Sequence, residues 1–514
     1  MTRSEFLLPT GMTVEAARGH LGEHLELRDG AIATSERRFY DTFDGLVREE
    51  GMSVVHENGR LALVEGDATL GGGALDRGDA PERVLVSELP HGALREALSP
   101  IVEVRALSPI AHVRTRSRML AVLNSDAKTV VRITLEEPAA VASPRREIPL
   151  RARVRVTPVR GYAEELAGVR STLTDELGLV PAAESLADEA VRAGGGTPGG
   201  TSSKIEVRLS FEQRADAAAV AVLTRLLEII EANVPGTLAD VDSEFLHDLR
   251  VSVRRSRAVQ RELRRAFPPS ALRRFRDEFR WLQRATGDVR DLDVYVHEFD
   301  SMRSLLSEKL RGDLEPLLDV LRRRRLLARG KLVRALASER TRTLLSSWSE
   351  FLAELVLMDP EGREDAARPI GEVAGERIVK VYRRMVRMGR AIDLESPAEA
   401  YHELRKKGKE LRYLLELFGA PLFPGDVVKP MVKSLKSLQD TLGRHQDREV
   451  QISMLRSLCE EVEALPGGPA ALMAMGVLVE RLEEDVVAAR AEYASRFEEF
   501  ASRPQRRVVK ETFG

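Results

Sequence analysis

Hydrophobic and polar positions follow two different patterns in the two parts of this chain. Before residue 180, short β-branched runs alternate with Gly, Pro, Asn and Asp, which is typical of strands joined by turns. The strands predicted there span 83–86, 101–105, 129–135 and 151–156. One helix is predicted over 162–178, so we expect an α+β domain with an antiparallel sheet.

After residue 205, the apolar residues recur with the helical period of about 3.6. The predicted helical stretches are 212–233, 243–266, 270–285, 304–358, 369–391, 398–418, 427–461 and 468–501. Prolines fall between several of these stretches, as expected where helices end. This part is therefore predicted to be all-α and built from antiparallel helix bundles.

A stretch rich in Gly and Ser separates the two parts. Residues 193–203 read AGGGTPGGTSS, a composition that favours a flexible linker because it lacks both stiffness and apolar side chains. We therefore predict a first domain over residues 1–180, a flexible linker over 181–204, and the helical part from residue 205 onward.

The helical part contains an internal repeat, which defines its architecture. The repeated segments are HDLR at 247–250 and HELR at 402–405, and LQxxxG at 282–287 and 438–443. The first pair is separated by 155 residues and the second by 156. Two motifs at nearly the same offset predict tandem four-helix bundles, over 205–360 and 361–505, related by a pseudo-twofold repeat.

Composition excludes several classes of protein. Of the 514 residues, 43% are hydrophobic and 31% charged, which is typical of folded, soluble domains. The single Cys459 excludes an intramolecular disulfide and any Cys-based metal cluster. No apolar run reaches the length of about 18–20 residues that a membrane span needs, and the apolar stretch 6–8 is too short for a secretory signal. We therefore expect a cytoplasmic protein.

Charge is distributed unevenly, although the net charge is only −2. Residues 247–290 contain 13 Lys and Arg against 5 Asp and Glu. A basic segment within a nearly neutral protein indicates a localised anion-binding site rather than general attraction to anions.

Each repeat places one histidine and three cations on one face of a helix, at offsets of 0, 3, 7 and 10. The two sets are His247, Arg250, Arg254 and Arg257, and His402, Arg405, Lys409 and Arg412, with Arg261 extending the first set. At about 100° per residue, each set falls within an arc of roughly 80°. Like charges at this spacing repel one another. A polyanion lying along both stripes would compensate them, and arginine provides forked donors for phosphate oxygens.

Further basic residues are included in the predicted binding site. They are Arg255 and Lys406 beside the two stripes, Lys331 and Arg334 on one helix, and Lys380, Arg383, Arg384 and Arg387 on another. The alternative for any such stripe is an ordinary solvated helix face. Repetition of the same geometry in two otherwise divergent bundles favours binding.

These residues resemble the paired signatures of the CHAD family, the conserved histidine α-helical domain. The similarity covers 247–257 and 402–413, with the LQxxxG segments as a second signature, and extends over roughly 205–505. The resemblance implies two four-helix bundles around a central basic pore or groove. It also implies binding of inorganic polyphosphate, association with polyphosphate granules, and no enzymatic activity.

The first part is similar, in divergent form, to the CYTH domain, a triphosphate-tunnel β-barrel that often precedes CHAD domains. The similarity rests on RFYDTFDGL at 38–46 and on Arg114, Arg116 and Arg118. The family's initial Glu-x-Glu-x-Lys is reduced to Glu5, and its late acidic strand is replaced by RARVR at 151–155. Catalysis in that family needs carboxylates that hold Mg²⁺ or Mn²⁺. We therefore expect a degenerate barrel with no metal, no cofactor and no triphosphatase activity.

Some alternatives remain open at this stage. The strand arginines of the first domain either line an anion-binding barrel or face outward. A rearranged metal site would make the protein a triphosphate or polyphosphate hydrolase, and the basic helices could bind nucleic acid instead. Aromatic side chains for stacking on bases are scarce near the stripes, which argues against nucleic acid. We expect inorganic polyphosphate as the partner, and no membrane.

Overall fold

The computed structural model describes residues 5–66, 68–74 and 80–514 of the chain. The chain divides into two compact units, one ending at Ser203 and the other beginning at Lys204. Within the described residues, no hydrophobic core cluster contains side chains from both units.

The first unit is built on an antiparallel sheet. Its strands are β1 (Glu5–Leu7), β2 (Leu27–Asp41), β3 (Ser53–Glu57), β4 (Arg60–Glu65), β5 (Ala68–Ala74), β6 (Val84–Leu85), β7 (Ala106–Leu123), β8 (Thr129–Ser143), β9 (Arg146–Pro149), β10 (Arg153–Pro158) and β11 (Val180–Pro181). The strand order is β11-β1-β10-β8-β7-β2-β3-β4-β5, while β9 pairs with β8 and β6 pairs with β7.

Helices cover both faces of this sheet. They are α1 (Val14–His24), α2 (Leu46–Glu49), α3 (Ala93–Val102), α4 (Ala163–Ser171) and α5 (Leu186–Ala193). On one face, α1 and α4 pack on apolar side chains of β1, β7, β8 and β10. On the other face, Leu186 and Ala190 of α5 pack against Phe39 and Val113. The sheet is therefore buried on both sides over part of its surface.

Two predictions for this unit differ from the structure. The β-branched run at 101–105 is not a strand, because its first residues close α3, where Leu98 and Val102 are fully buried. The predicted flexible linker 181–204 contains α5, whose N-terminus is capped by the Ser185 side chain. Helix α5 has only eight residues, about two turns. This is too short for the helical period to be recognised in the sequence next to the glycine-rich stretch.

Apart from an isolated β-bridge between Arg214 and Pro369, the regular secondary structure of the second unit is helical. Its helices are α6 (Ala215–Ala239), α7 (Ser243–Glu262), α8 (Pro269–Ala285), α9 (Gly287–His297), α10 (Phe299–Ser304), α11 (Glu308–Arg311), α12 (Glu315–Leu336), α13 (Glu339–Leu355), α14 (Ile370–Arg390), α15 (Ala398–Leu414), α16 (Ala420–Leu422), α17 (Gly425–Ser457), α18 (Cys459–Glu463), α19 (Gly468–Phe500) and α20 (Arg503–Phe513). The predicted order, an antiparallel sheet domain followed by an all-helical region, is confirmed.

Local sequence explains how α7 is positioned. Helix α6 ends at Asp240, which adopts a left-handed conformation with a φ of 55°. The Asp242 carboxylate then accepts hydrogen bonds from the backbone N–H groups of Glu244 and Phe245, which caps α7. A Cβ atom at Gly236 would lie 2.2 Å from the Phe245 ring, so only glycine lets the two helices approach this closely.

The internal repeat is visible in the order of the long helices. Helices α6 and α7 correspond to α14 and α15, and the broken pair α8–α9 corresponds to the continuous α17. The hydrophobic cores do not follow this division, because each contains side chains from both repeats. The larger one joins Leu249 and Trp348 to Leu404 and Leu438, and the smaller one joins helices α9, α10 and α12 to α17 and α19. The two repeats therefore form one compact unit.

Hydropathy adds one further finding about this fold. Of the helices that the structure describes, none is at once long enough and apolar enough to cross a membrane.

Candidate functional site

A cavity of about 830 Å³ lies where the two repeats meet, between α7, α15 and α17. Seven lysine and arginine side chains and five carboxylates line it, together with His247. The basic side chains are Arg254, Arg255, Arg405, Lys409, Arg412, Arg444 and Arg448. The acidic ones are Asp248, Glu298, Glu416, Asp440 and Asp447. The cavity is thus strongly charged and has a small excess of positive charge.

The cationic stripe of the second repeat lies along one wall of the cavity. Arg405 forms an ion pair with Asp447 at 3.4 Å, and Arg412 forms one with Glu416 at 2.5 Å. Lys409, between them, makes no ion pair or hydrogen bond with any residue that the structure describes. Burial, with a contribution from the charges of Arg405 and Arg254, lowers the pKa of Lys409 to about 8.

Part of the first repeat's stripe lies on the facing wall. Arg254 also lacks an ion-pair partner within the described part of the chain, and its Nε atom is buried without a hydrogen bond. Its charge acts on Lys409, so the cations at offset 7 of both repeats lie near one another. Two unpaired cations that are partly removed from water repel each other, which makes this the position where an anion would be most stabilising.

The Glu416 carboxylate connects α7 and α15 across the cavity. Glu416 accepts a hydrogen bond from Arg255 of α7 at 2.8 Å and another from Arg412 of α15 at 2.5 Å. The Arg255 guanidinium also lies 5.9 Å from the centre of the Tyr413 ring. Glu416 therefore pairs with two of the seven cations and offsets one unit of their positive charge while it connects the repeats.

The glycine of each LQxxxG segment makes room for the arginine at offset 3. A Cβ atom at Gly287 would touch Arg250 Nη1 at 3.5 Å, and one at Gly443 would touch Arg405 Nη2 at 3.6 Å. Both distances are ordinary van der Waals contacts, so in each repeat the LQxxxG glycine packs beside the arginine at offset 3.

The structure does not bring every predicted site residue into this cavity. Arg250 is buried and donates hydrogen bonds from Nη1 to the Gln283 carbonyl and the Thr286 hydroxyl, at 3.0 and 3.1 Å. Burial lowers the pKa of Arg250 to about 10. His402 is also outside the cavity lining, and its Nδ1 lies 2.7 Å from Gln446 Oε1.

Other predicted residues lie farther along their helices or on outward faces. Arg257 donates to the Gln283 side chain, and Arg261 pairs with Glu262 and Glu410. The exposed residues are Lys406, which pairs with Glu403, and Lys331, Arg334, Lys380, Arg383, Arg384 and Arg387. The last six lie on solvent-facing sides of α12 and α14, whose opposite sides carry the buried apolar residues.

Two cations of α17 line the cavity although the repeated spacing does not predict them. Arg444 and Arg448 line the cavity and pair with carboxylates of α19: Arg444 with Glu492 at 2.6 Å and Arg448 with Asp485 at 2.7 Å. The signal for them was present, because Arg444 directly follows the glycine of the second LQxxxG segment. Their positions do not fall at offsets of 0, 3, 7 or 10 from either histidine, so the pattern of the two stripes does not include them.

The arginines of the first unit divide between the two faces of its sheet. Arg114 pairs with Glu36 at 2.7 Å, and Arg116 with Glu137 at 3.5 Å, both at exposed positions. On the face that carries α5, Arg153 is buried and pairs with Glu5 at 3.1 Å. Each of these guanidinium groups is thus already engaged with a carboxylate.

Carboxylates on the α5 face are engaged in the same way. Glu136 lies 3.3 Å from Arg37 and 3.8 Å from Arg155, and Glu57 lies 3.7 Å from Arg37. No group of three or more metal-ligating side chains occurs among the residues described. The similarity to the CYTH domain stays a prediction for this unit.

Comparison with known proteins places the cavity within one protein family. Residues 221–456 match the family described as the CHAD domain. The chain is also similar to two solved structures. The CHAD domain from the plant Ricinus communis is 22% identical, with a TM-score of 0.49, over 57% of this chain and 96% of that chain. PptA from Streptomyces chartreusis is 18% identical, with a TM-score of 0.42, over 56% of this chain and 100% of that chain.

A search of curated protein sequences gave no match. The family match covers both histidine helices and both LQxxxG segments, and all the cavity-lining residues fall within it. This chain therefore carries a CHAD domain over residues 221–456.

Proposed function

We propose that the helical unit binds inorganic polyphosphate in the cavity between α7, α15 and α17, and that the protein associates with polyphosphate granules through this site. The observation that carries the proposal is the pair Arg254 and Lys409. They come from different repeats, act on one another electrostatically, and form no ion pair within 4 Å with any residue that the structure describes.

Charge and geometry favour a phosphate polymer over other anions. Forked guanidinium donors match phosphate oxygens, and the cavity presents them on walls from both repeats. A linear polyphosphate carries charge along its whole length, so several phosphates contact several cations at once. Tyr413 is the only Phe, Tyr or Trp among the described residues that line the cavity, which offers little stacking for nucleic acid bases.

We further propose that the protein is not a triphosphatase. Metal-dependent hydrolysis needs carboxylates that are free to coordinate the ion. On the α5 face of the first unit, Glu5, Glu57 and Glu136 each lie within 4 Å of an arginine. The full-length protein incubated with tripolyphosphate and Mg²⁺ or Mn²⁺ is expected to release no phosphate above the protein-free rate. Enzyme-dependent release that is lost in Glu136→Gln would contradict this.

The binding proposal is tested by titrating the full-length protein with polyphosphate at several salt concentrations. The double variant Arg254→Gln, Lys409→Gln is expected to bind at least about tenfold more weakly, because each substitution removes a partly buried charge-assisted contact. It should also flatten the plot of log K against log salt by about 1.4, taking about 0.7 per phosphate contact as in single-stranded nucleic acids.

A matched control removes two charges elsewhere. Arg383 and Arg384 of α14 are exposed and outside the cavity, so neutralising both changes net charge equally without touching the site. Equal loss of affinity in the control and the cavity variant would overturn the proposal. Competition with DNA and RNA tests selectivity: displacement of polyphosphate at similar nucleotide concentrations would show that the site is a general polyanion site.

A further inference from the structure

Beyond the cavity, a second row of arginines faces α7 from α8. The two helices are joined by a short connection and run antiparallel, since Arg250 near the start of α7 contacts Gln283 and Thr286 near the end of α8. Arg276, Arg280 and Arg284 are spaced by four residues, so they lie along one face of α8.

These arginines converge on the α7 stripe. Arg257 donates a hydrogen bond to the Gln283 side chain of α8. Burial lowers the pKa of Arg257, and the positive charges of Arg280, Arg261, Arg276 and Arg284 lower it further. Five guanidinium groups from two helices therefore share one region. Such a group is electrostatically unfavourable unless anions compensate it.

The protein supplies only part of this compensation. Arg280 pairs with Asp277 at 2.6 Å, and Arg261 pairs with Glu262 at 2.8 Å and with Glu410 at 3.2 Å. Arg276 and Arg284 form no ion pair with any residue that the structure describes. Positive charge thus remains in excess along the surface shared by α7 and α8.

Helix α7 connects this surface to the cavity. Arg254, which lines the cavity, is one helical turn before Arg257 and two turns before Arg261. At 1.5 Å per residue, the seven residues from Arg254 to Arg261 cover about 10 Å. A chain held in the cavity can therefore reach the α8 arginines by following α7.

We propose that a bound polyphosphate chain leaves the cavity along this arginine ladder, formed by Arg257 and Arg261 of α7 and by Arg276, Arg280 and Arg284 of α8. This inference rests on the proposed function and extends it to chain length: short oligomers fill the cavity, and longer chains also contact the ladder. The three α8 arginines thereby act as specificity residues for long polyphosphate.

The second repeat differs at the positions that correspond to the three α8 arginines. At the offset of 156 residues, Arg276 corresponds to Val432, Arg280 to Lys436 and Arg284 to Asp440. One of the three positive charges is retained, one is lost, and one is replaced by a negative charge. On α17 the exposed Lys429, Lys433 and Lys436 lie on one face instead, so the two repeats present different cations to a chain that leaves the cavity.

The test compares two probes on the full-length protein: tripolyphosphate and a polyphosphate of several hundred phosphates. The triple variant Arg276→Gln, Arg280→Gln, Arg284→Gln is expected to bind the long chain at least about tenfold more weakly, with a salt slope smaller by about 2. Its affinity for tripolyphosphate should stay within about threefold of wild type, because a short ligand does not reach α8.

A second triple variant, Arg383→Gln, Arg384→Gln, Arg387→Gln, removes the same charge from the exposed face of α14 and should leave both affinities unchanged. Thermal unfolding verifies that both variants are folded. Wild-type affinity of the α8 variant for the long chain, or an equal loss in the α14 variant, would overturn the ladder while leaving cavity binding intact. If the wild-type protein bound neither probe, the proposed function itself would be wrong, and the ladder with it.

Discussion

At the scale of single residues, Lys409 links binding to pH. Its pKa is lowered to about 8 by burial and by the charges of Arg405 and Arg254, with Arg412 adding to them and Asp447 opposing them. A bound phosphate favours the protonated amine and so raises this pKa. Affinity should be constant below pH 8 and then fall by up to one log unit per pH unit, because binding above pH 8 requires uptake of a proton.

The variant Lys409→Arg separates this effect from general electrostatics, since arginine stays protonated over the whole range. Polyphosphate titrations between pH 6.5 and 10 at constant ionic strength should show the decline in wild type and its loss in Lys409→Arg. The matched control is Lys406→Arg, an exposed lysine on the same helix that pairs with Glu403. An unchanged pH profile in Lys409→Arg would assign the titration to another group.

The residue scale also shows what spacing alone predicts. Five residues at offsets of 0, 3, 7 and 10 line the cavity: His247, Arg254, Arg405, Lys409 and Arg412. They share one face of each helix because of the helical period. The same spacing did not show that Arg250 is held away by Gln283 and Thr286, since that depends on how α7 packs on α8. Contacts between helices determine which members of a stripe reach the cavity.

At the scale of elements, Glu416 connects α7 to α15 and also opposes anion binding. Its carboxylate bonds to Arg255 and Arg412 at half-buried positions. In Glu416→Gln, loss of two charge-assisted contacts should lower the free energy of unfolding by about 1 kcal/mol. The same change releases two cations toward the ligand, so polyphosphate affinity should rise several-fold, as measured by chemical denaturation and titration.

The opposite signs of these effects make the prediction specific. Glu403→Gln is the control, because Glu403 pairs with exposed Lys406 away from the cavity, and it should change neither quantity measurably. Weaker binding in Glu416→Gln would show that the carboxylate positions the arginines more than it neutralises them.

Element boundaries show where sequence patterns are informative. The long amphipathic helices α7, α8, α14, α15 and α19 begin and end within a few residues of their predicted bounds, because many turns repeat the same apolar side. Short elements carry too few turns for this. The run at 101–105 has strand-like composition but closes a helix, since its apolar side chains complete the core beneath α3.

At the scale of the whole molecule, the two units have separate cores, and the cavity lies entirely in the second. All its lining residues fall between His247 and Arg448, beyond the boundary at Ser203 and Lys204. The sequence predicts a division of the helical part at residue 360. Both hydrophobic cores of the second unit, however, contain side chains from before and after this residue. The helical unit should therefore fold as one body and not as two separable bundles.

Removing the first unit tests whether the second is sufficient. A chain of residues 204–514 should unfold in one cooperative transition, because its core clusters contain no side chain from the first unit. Its polyphosphate affinity and salt slope should stay within about threefold and about 0.5 of the full-length values, since every cavity and ladder cation is retained. A folded truncation with a much smaller slope would show that the arginines of the first unit contact the polymer.

Further division at residue 360 should expose the apolar faces of both repeats, so neither half should bind or fold alone.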